Sequence, residues 1–399
     1  EIISVDDNYF DYCDVVDMNI VVSKYRNFLY KTDRFIKNID IRKNSRYNLD
    51  RGEVIKMYVD NAATTYVRPE VKEEIFETME RYWGNPSSMH EMGYQSKEKM
   101  EKCRKNIAER FNCYPDEIIF TSGACESNSL ALNQKGYTTT PIEHKSILGA
   151  NRVLVDSFGF AQIPNHIETE CLSIQAANSE IGTIQDIESW SKAFKDKIFH
   201  TDATQYLPYF PIDLQKEWKY VDMFSMSGQK IHAPKGIGFL YCKRGTPIVP
   251  LIHGAQENGI RGGTENLPYI AGLAKAIELL DYDNSKLNEK RCTLIKELLK
   301  MEKEVKINGS MEHRLPNNIS VSFKGYDSKQ MLAILNELGV YASAGSACNA
   351  GNTEVSPVLK AIGLEDAYSR GTIRLTISND TNINELSHFF KLMFTIIKS

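Results

Sequence analysis

The chain has 399 residues, a formal net charge of -4, 42% hydrophobic residues and 25% charged residues. These are the proportions of a globular protein with a sizeable core, and the charge argues against a dedicated nucleic-acid or anionic-membrane binder, whose footprint is basic. No apolar run approaches the ~20 residues of a membrane-spanning helix.

Eight cysteines with no CxxC pair argue against a disulfide scaffold, structural zinc or a thioredoxin-like motif. They suit a reducing compartment, with cytoplasmic localisation expected and a reduced organelle matrix also compatible.

Residues 1–23 carry six acidic residues and no lysine or arginine, unlike a secretory or transit peptide. Residues 24–56 reverse the balance, with ten basic and four acidic residues. Val22, Tyr25, Leu29 and Phe35 lie roughly on one face of a helix predicted over 21–39. This extension, 1–56, reads either as a segment packing on its own subunit or as a partner-binding arm.

The composition changes at Met57, where a short strand leads into a polar loop. The spacing of Val71, Ile75 and Met79 predicts a helix over 69–83, and another is predicted over 94–111. A strand over 117–121 turns through Ser122 and Gly123 into a helix. Apolar runs at 172–176, 221–225 and 238–242 then alternate with helical stretches, the pattern of a mostly parallel sheet covered by helices. Residues 268–301 read as helix. Strands over 318–323 and 372–377, with helices over 328–338 and 384–397, read as a smaller α+β part. The expected division is an extension (1–56), a small domain (57–68 with 268–399) and a large domain (69–267).

Several segments carry chemistry. Lys230 follows a strand and Ser227, and a Pro/Gly-rich turn comes next; a lysine there can form a Schiff base with an aldehyde cofactor, and the serine can bond a phosphate. By itself it would read as an exposed turn lysine. Upstream, Asp202 and Gln205 end another strand. Pyridoxal phosphate needs an acid beside its pyridine nitrogen and benefits from a donor at its phenolic oxygen. The other reading of Asp202 is a helix N-cap. Both segments fit one crevice at the carboxyl ends of successive strands. The turn from Thr121 to Cys125 opens a helix and offers N–H groups to a phosphate. His144, after a Thr-rich strand, could stack on a ring and shuttle protons, or be a structural histidine.

Cys348 lies in a run of small residues from Ala342 to Asn352, which reads as a mobile loop presenting an accessible thiol. Cys103, Cys113, Cys171, Cys242 and Cys292 fall in helix or strand patterns and are expected to pack, while Cys13 has no evident role. Arg374 is a lone charge in an apolar strand, the placement of an arginine that pairs with a carboxylate.

In chain order these motifs read Asp60-Asn-Ala-Ala-Thr-Thr, Gly84-Asn-Pro-Ser-Ser-Met-His, Thr121-Ser-Gly-Ala-Cys-Glu-Ser, Glu143-His-Lys-Ser, His200-Thr-Asp-Ala-Thr-Gln, Ser227-Gly-Gln-Lys, Arg261-Gly-Gly-Thr-Glu-Asn and Gly345-Ser-Ala-Cys. Together they resemble the cysteine desulfurases, the NifS/IscS-like group of class V pyridoxal-phosphate enzymes, over residues 57–397.

The resemblance implies an α/β protein of the PLP-dependent transferase fold type I, with a large sheet-and-helix domain and a smaller α+β domain. It implies that Lys230 holds pyridoxal phosphate and moves protons, that His144 stacks on the ring, that Asp202 pairs with the pyridinium and that Gln205 contacts the phenolic oxygen. Ser227, Gln229, Ala124 and Cys125 would surround the phosphate, and Ser179 would face the cofactor. Thr264 would reach the phosphate of the neighbouring subunit of a homodimer. Arg374, with Asn61 and Asn178, would bind L-cysteine. Cys348 would take the sulfur as a persulfide, leaving alanine, and pass it to a sulfur-acceptor protein such as an iron–sulfur scaffold or a thiolation relay. No resident metal is implied, beyond a transient iron–sulfur contact at Cys348, and neither nucleic acid nor membrane is an expected partner.

Three positions depart from the family pattern. Gln229 stands where histidine is usual, Cys125 where threonine is usual, and Ser179 where a second asparagine is usual. All three touch cofactor binding. Two other readings stay open: a related class V enzyme acting on another substrate such as selenocysteine, and a low-activity scaffold working through a partner.

Overall fold

The computed structural model describes residues 56–147, 149, 151–345 and 355–398. The predicted helix over 21–39 and Cys13, in the extension, and Cys348 lie outside them.

In chain order the elements are β1 (Met57–Tyr58), α1 (Pro69–Arg81), α2 (Glu91–Phe111), β2 (Ile118–Thr121), α3 (Ala124–Leu132), β3 (Tyr137–Thr139), β4 (Asn151–Arg152), β5 (Cys171–Ser173), α4 (Ile187–Ala193), β6 (Ile198–Asp202), β7 (Met223–Ser227) and β8 (Gly238–Cys242). They continue as α5 (Leu267–Glu278), α6 (Ser285–Met301), β9 (Val305–Ile307), β10 (Asn318–Phe323), α7 (Ser328–Glu337), β11 (Val340–Tyr341), α8 (Pro357–Ala361), α9 (Asp366–Ser369), β12 (Thr372–Thr376) and α10 (Ile383–Lys398).

The main sheet has the order β2-β8-β7-β6-β5-β3-β4. The pairs from β7 to β4 are parallel, while β8 runs antiparallel to both neighbours. Strands β2 and β7 therefore point the same way, and their carboxyl ends share one edge. The strands of this sheet are largely buried, as expected for β-structure covered by helices. Phe224 of β7 stacks edge-on against Phe111 and Phe239 with ring centres 5.4 Å away in each case, tying α2 to the sheet. Helices α1 and α2 also pack on α5. Gly272 permits this approach, because a Cβ there would stand 2.7 Å from Ile75 Cγ1. A second, antiparallel sheet has the order β12-β10-β9, and β1 pairs parallel with β11.

Several boundaries differ from the sequence expectation; the runs at 172–176 and 221–225, for example, are strands over Cys171–Ser173 and Met223–Ser227. The predicted 268–301 helix is two helices, because Asp281 and Asp283 accept the N–H groups of Asp283 and Ser285 and turn the chain between them. Helix α2 starts at Glu91 rather than 94, because His90 Nδ1 accepts from Gly93 N at 3.2 Å and caps it. Helix α1 stops at Arg81, two residues early.

Cys103, Cys171 and Cys242 are buried, and burial raises their thiols to about 11, 12 and 11. Cys113 is half-buried. Cys292 is exposed, against expectation: the buried face of α6 runs through Leu287, Arg291, Leu294, Ile295 and Leu298, and Cys292 turns away from it.

Candidate active site

The edge holding the carboxyl ends of β2, β6 and β7 carries the chemistry. Asp202 is the last residue of β6 and pairs in register with Ser225 of β7. Ser227 ends β7, and Lys230 follows in a tight turn, Gly228–Lys230. Thr121, Gly238 and Ser227 occupy one row across β2, β8 and β7. Gly238 is needed there, since a Cβ would lie 2.4 Å from Met226 O and 2.7 Å from Gly123 Cα. The close approach sets the turn before α3 beside the end of β7.

These segments enclose a cavity of about 310 Å³. Ala124, Cys125, His144, Ser179, Asp202, Gln205, Ser227, Gln229, Lys230 and Arg374, each a candidate from sequence, all line it. Lys230 Nζ donates to Ala62 O at 2.8 Å and to Ala63 O. Gln205 Nε2 donates to Ala62 O at 3.1 Å, and Gln229 Nε2 reaches Ala63 O at 3.4 Å. The carbonyls of the loop after β1 thus hold the amine and both amides, a role that sequence does not display. Asp202 is buried and accepts from Thr204 N at 3.0 Å and from Asn128 Nδ2 at 2.8 Å. The N-cap reading of Asp202 does not hold, as no helix follows it.

Arg374 is almost fully enclosed. Its NH2 donates to Asp60 Oδ1 at 2.6 Å and its NH1 to Ser179 O at 3.3 Å, while its Nε has no hydrogen-bond partner among the described residues. Asp60 in turn accepts from Ser343 Oγ at 2.7 Å. The expected carboxylate partner of this arginine is therefore present within the protein.

Three candidates among the described residues lie elsewhere. Asn61 donates to Thr376 O at 2.7 Å and lines a neighbouring recess of about 170 Å³, which it shares with Lys230. Asn178 is buried in a turn, accepting from Glu180 N and Ile181 N and donating to Ile142 O. Thr264 is exposed in a separate recess of about 220 Å³ with Arg261. Cys348 lies outside the described residues. Arg261 Nε bonds Glu126 Oε1 at 2.8 Å, and Glu126 Oε2 accepts from Ser122 N at 2.7 Å, which ties the loop of Thr264 to the turn before α3.

Two buried groups beside the site have displaced titrations. Burial pushes the Glu143 carboxyl up to about 8, against the bonds it receives from Gln175 N and Thr140 Oγ1. Burial also lowers His200 to about 4, and its ring lies between Ser173 Oγ and Ser225 Oγ at 2.8 and 2.9 Å.

The chain matches the family model described as aminotransferase class-V over residues 57–151 and 157–389. The chain belongs to that family. It is 38% identical over 376 residues to the protein named cysteine desulfurase IscS of Dictyoglomus turgidum, covering 86% of this chain and 95% of that one. A solved structure named NifS-like protein superposes with a TM-score of 0.77 at 34% identity, covering 86% of this chain and 100% of that one. The structure titled SspA in complex with cysteine superposes with a TM-score of 0.69 at 32% identity, covering 81% and 99%. The expected α/β fold of the class V, NifS/IscS-like enzymes is thereby met.

The residues present fit pyridoxal phosphate, the cofactor of this class. Gly123 has φ +148°, and a Cβ on it would project to within 3.3 Å of Ser227 Oγ, into the cradle between β7 and α3. Thr204 lines the cavity with its Oγ1 lacking a hydrogen-bond partner among the described residues. The donor set combines an amine, a carboxylate, an imidazole and a helix start, which matches an anionic aldehyde with a basic ring nitrogen.

Proposed function

We propose that the protein is a pyridoxal-phosphate-dependent cysteine desulfurase that converts L-cysteine to L-alanine and carries the sulfur as a persulfide on Cys348. The observation that carries this reading is the convergence of Lys230, Asp202, His144 and the Gly123 cradle on one cavity. When bound, the cofactor supplies an electron sink for the bonds around the substrate's α-carbon.

The residues divide the remaining work. Asp202 holds a negative charge for the pyridine nitrogen, and Ser227 with the start of α3 receives the phosphate. Lys230, seated on two carbonyls, holds the cofactor and moves protons. His144, which lines the cavity, would flank the bound cofactor. Arg374 draws the substrate carboxylate. The Cys348 thiolate attacks the substrate sulfur: an S–S bond forms, the C–S bond breaks with its electron pair left on the carbon side, and a proton completes alanine. No external oxidant or reductant enters this step.

The finer assignments belong to the same proposal. A homodimer in which Thr264 serves the partner's phosphate site is supported by its exposure outside the main cavity. The division into a large part (69–267) and a small part (57–68 with 268–399) is supported by the strands, since the seven-stranded sheet lies wholly within 69–267 and the β12-β10-β9 and β1-β11 sheets wholly outside it. A cytoplasmic location and an iron–sulfur or thiolation acceptor follow the reducing chemistry of a persulfide donor.

With pyridoxal phosphate and a reductant, the purified protein is expected to release sulfide and alanine from L-cysteine, and Cys348→Ala to abolish sulfide release. Full turnover by that variant would overturn the persulfide route.

A further inference from the structure

Asn128 stands fully buried on α3, behind the cavity wall, and is not among the residues the sequence singles out. Its single amide nitrogen donates twice, to Asp202 Oδ2 at 2.8 Å and to Ser146 Oγ at 2.9 Å. Ser146 Oγ lies 2.8 Å from His144 Nδ1, and Ser146 N donates to the same ring nitrogen at 3.2 Å. One line of contacts thus joins the carboxylate at the end of β6 to the imidazole that lines the cavity.

The directions along this line follow from chemistry. An ionised carboxylate only accepts, so Asn128 must turn its NH2 toward Asp202. That orientation leaves Asn128 Oδ1 buried with no hydrogen-bond partner, as observed. Ser146 Oγ accepts the second amide hydrogen and has one proton of its own to give. His144 Nδ1 stands where that proton points. The main-chain N–H of Ser146 can only donate, and at the longer distance of 3.2 Å it adds a weaker preference for a lone pair on Nδ1, leaving the hydroxyl contact at 2.8 Å as the stronger constraint. Two donors converging on one nitrogen leave the proton of the neutral ring on Nε2.

We propose that Asn128 and Ser146 are positioning residues that fix His144 as its Nε2–H tautomer while insulating it from Asp202. An amide NH2 has no basic lone pair to take up a proton, so this line transmits orientation and does not conduct protons. Asp202 is thereby kept for the cofactor's ring nitrogen. His144 presents an N–H rather than a lone pair at Nε2, which makes it a donor before it is an acceptor.

The proposal rests on the site reading above, but its first test is independent of turnover. The full chain, labelled with 15N-histidine, is observed by long-range 1H–15N correlation with and without pyridoxal phosphate, and His144→Gln assigns the signal. The Nε2–H pattern is expected in both forms. Ser146→Ala should give a mixture of tautomers, Ser146→Thr should retain the wild-type pattern, and Asn128→Leu should loosen it as Ser146→Ala does. In cofactor-loaded protein of unchanged absorbance, Ser146→Ala should lower kcat for sulfide release about tenfold with KM for L-cysteine unchanged. A wild-type Nδ1–H signal, or an undiminished Nε2–H signal in both Ser146→Ala and Asn128→Leu, overturns the proposal. An Nε2–H signal in a protein that releases no sulfide would uphold the tautomer and count against the desulfurase reading.

Discussion

Asp60 and Arg374 stand 314 residues apart in the chain and 2.6 Å apart in space. The arginine side chain is 2% exposed and the aspartate 14%, so the pair is shielded from water. Removing one partner of such a pair leaves a buried, uncompensated charge. Asp60→Ala should destabilise the protein by about 3–5 kcal/mol, read as a lower urea midpoint. An unchanged midpoint would mean that the pair contributes nothing to the fold.

The same pair bears on substrate binding. With NH2 on Asp60 and NH1 on Ser179 O, Arg374 can serve an incoming carboxylate only by sharing its planar fork. Lysine has one point charge to offer and cannot satisfy both anions. Arg374→Lys is expected to raise KM for L-cysteine by about tenfold or more, with a smaller change in kcat. A rise confined to kcat effects would assign Arg374 to structure alone.

Cofactor affinity should respond in opposite directions to two neighbouring changes. Gly123→Ala projects a methyl into the cradle and strains a backbone at φ +148°. It should weaken pyridoxal phosphate binding by at least about tenfold. Cys125→Thr replaces a weak sulfur donor with a hydroxyl at the start of α3 and should tighten binding by about threefold to tenfold. An absorbance titration of cofactor-free protein measures both, and a loss of affinity in Cys125→Thr would sink the second expectation.

Glu143 imposes a pH dependence of known sign. Its folded carboxyl titrates near 8 rather than at the ordinary 4.5, chiefly because of burial. The folded state therefore keeps a proton that the unfolded chain releases. The stability contributed by that proton is complete below about pH 4.5 and is lost as pH rises through about 8. Glu143→Gln cannot ionise, so it should gain about 1–3 kcal/mol relative to wild type between pH 5 and pH 8. Urea unfolding of both proteins at the two pH values reads this directly, and a constant difference would refute it.

Asp202, Ser227 and Lys230 are legible in the sequence because each sits at or just beyond the end of an apolar strand, where a parallel sheet exposes its functional edge. Cys125 and Gly123 are legible because strand, glycine turn and helix follow one another directly. What stays hidden depends on distant pairings. The carbonyls that seat Lys230 come from 167 and 168 positions away. Ser146 meets Asn128 across 18 positions and a change of element. Asn61 and Asn178 carry the residue type of ligands, yet backbone groups claim their side chains, and nothing in their local sequence signals that competition.

The pairing of β1 with β11, and of Asp60 with Arg374, has a consequence for synthesis on the ribosome. The β6–β7 edge and the Lys230 turn have all their strands once Cys242 has emerged. Strand β1 and the loop after it emerge long before that, but their partners Val340, Tyr341, Arg374 and Thr376 are all made after Cys242. A nascent chain can thus form the cofactor edge before it can complete the arginine end. The site closes only when an early segment meets a late one, so completion of the active site is coupled to nearly complete synthesis of residues 57–376.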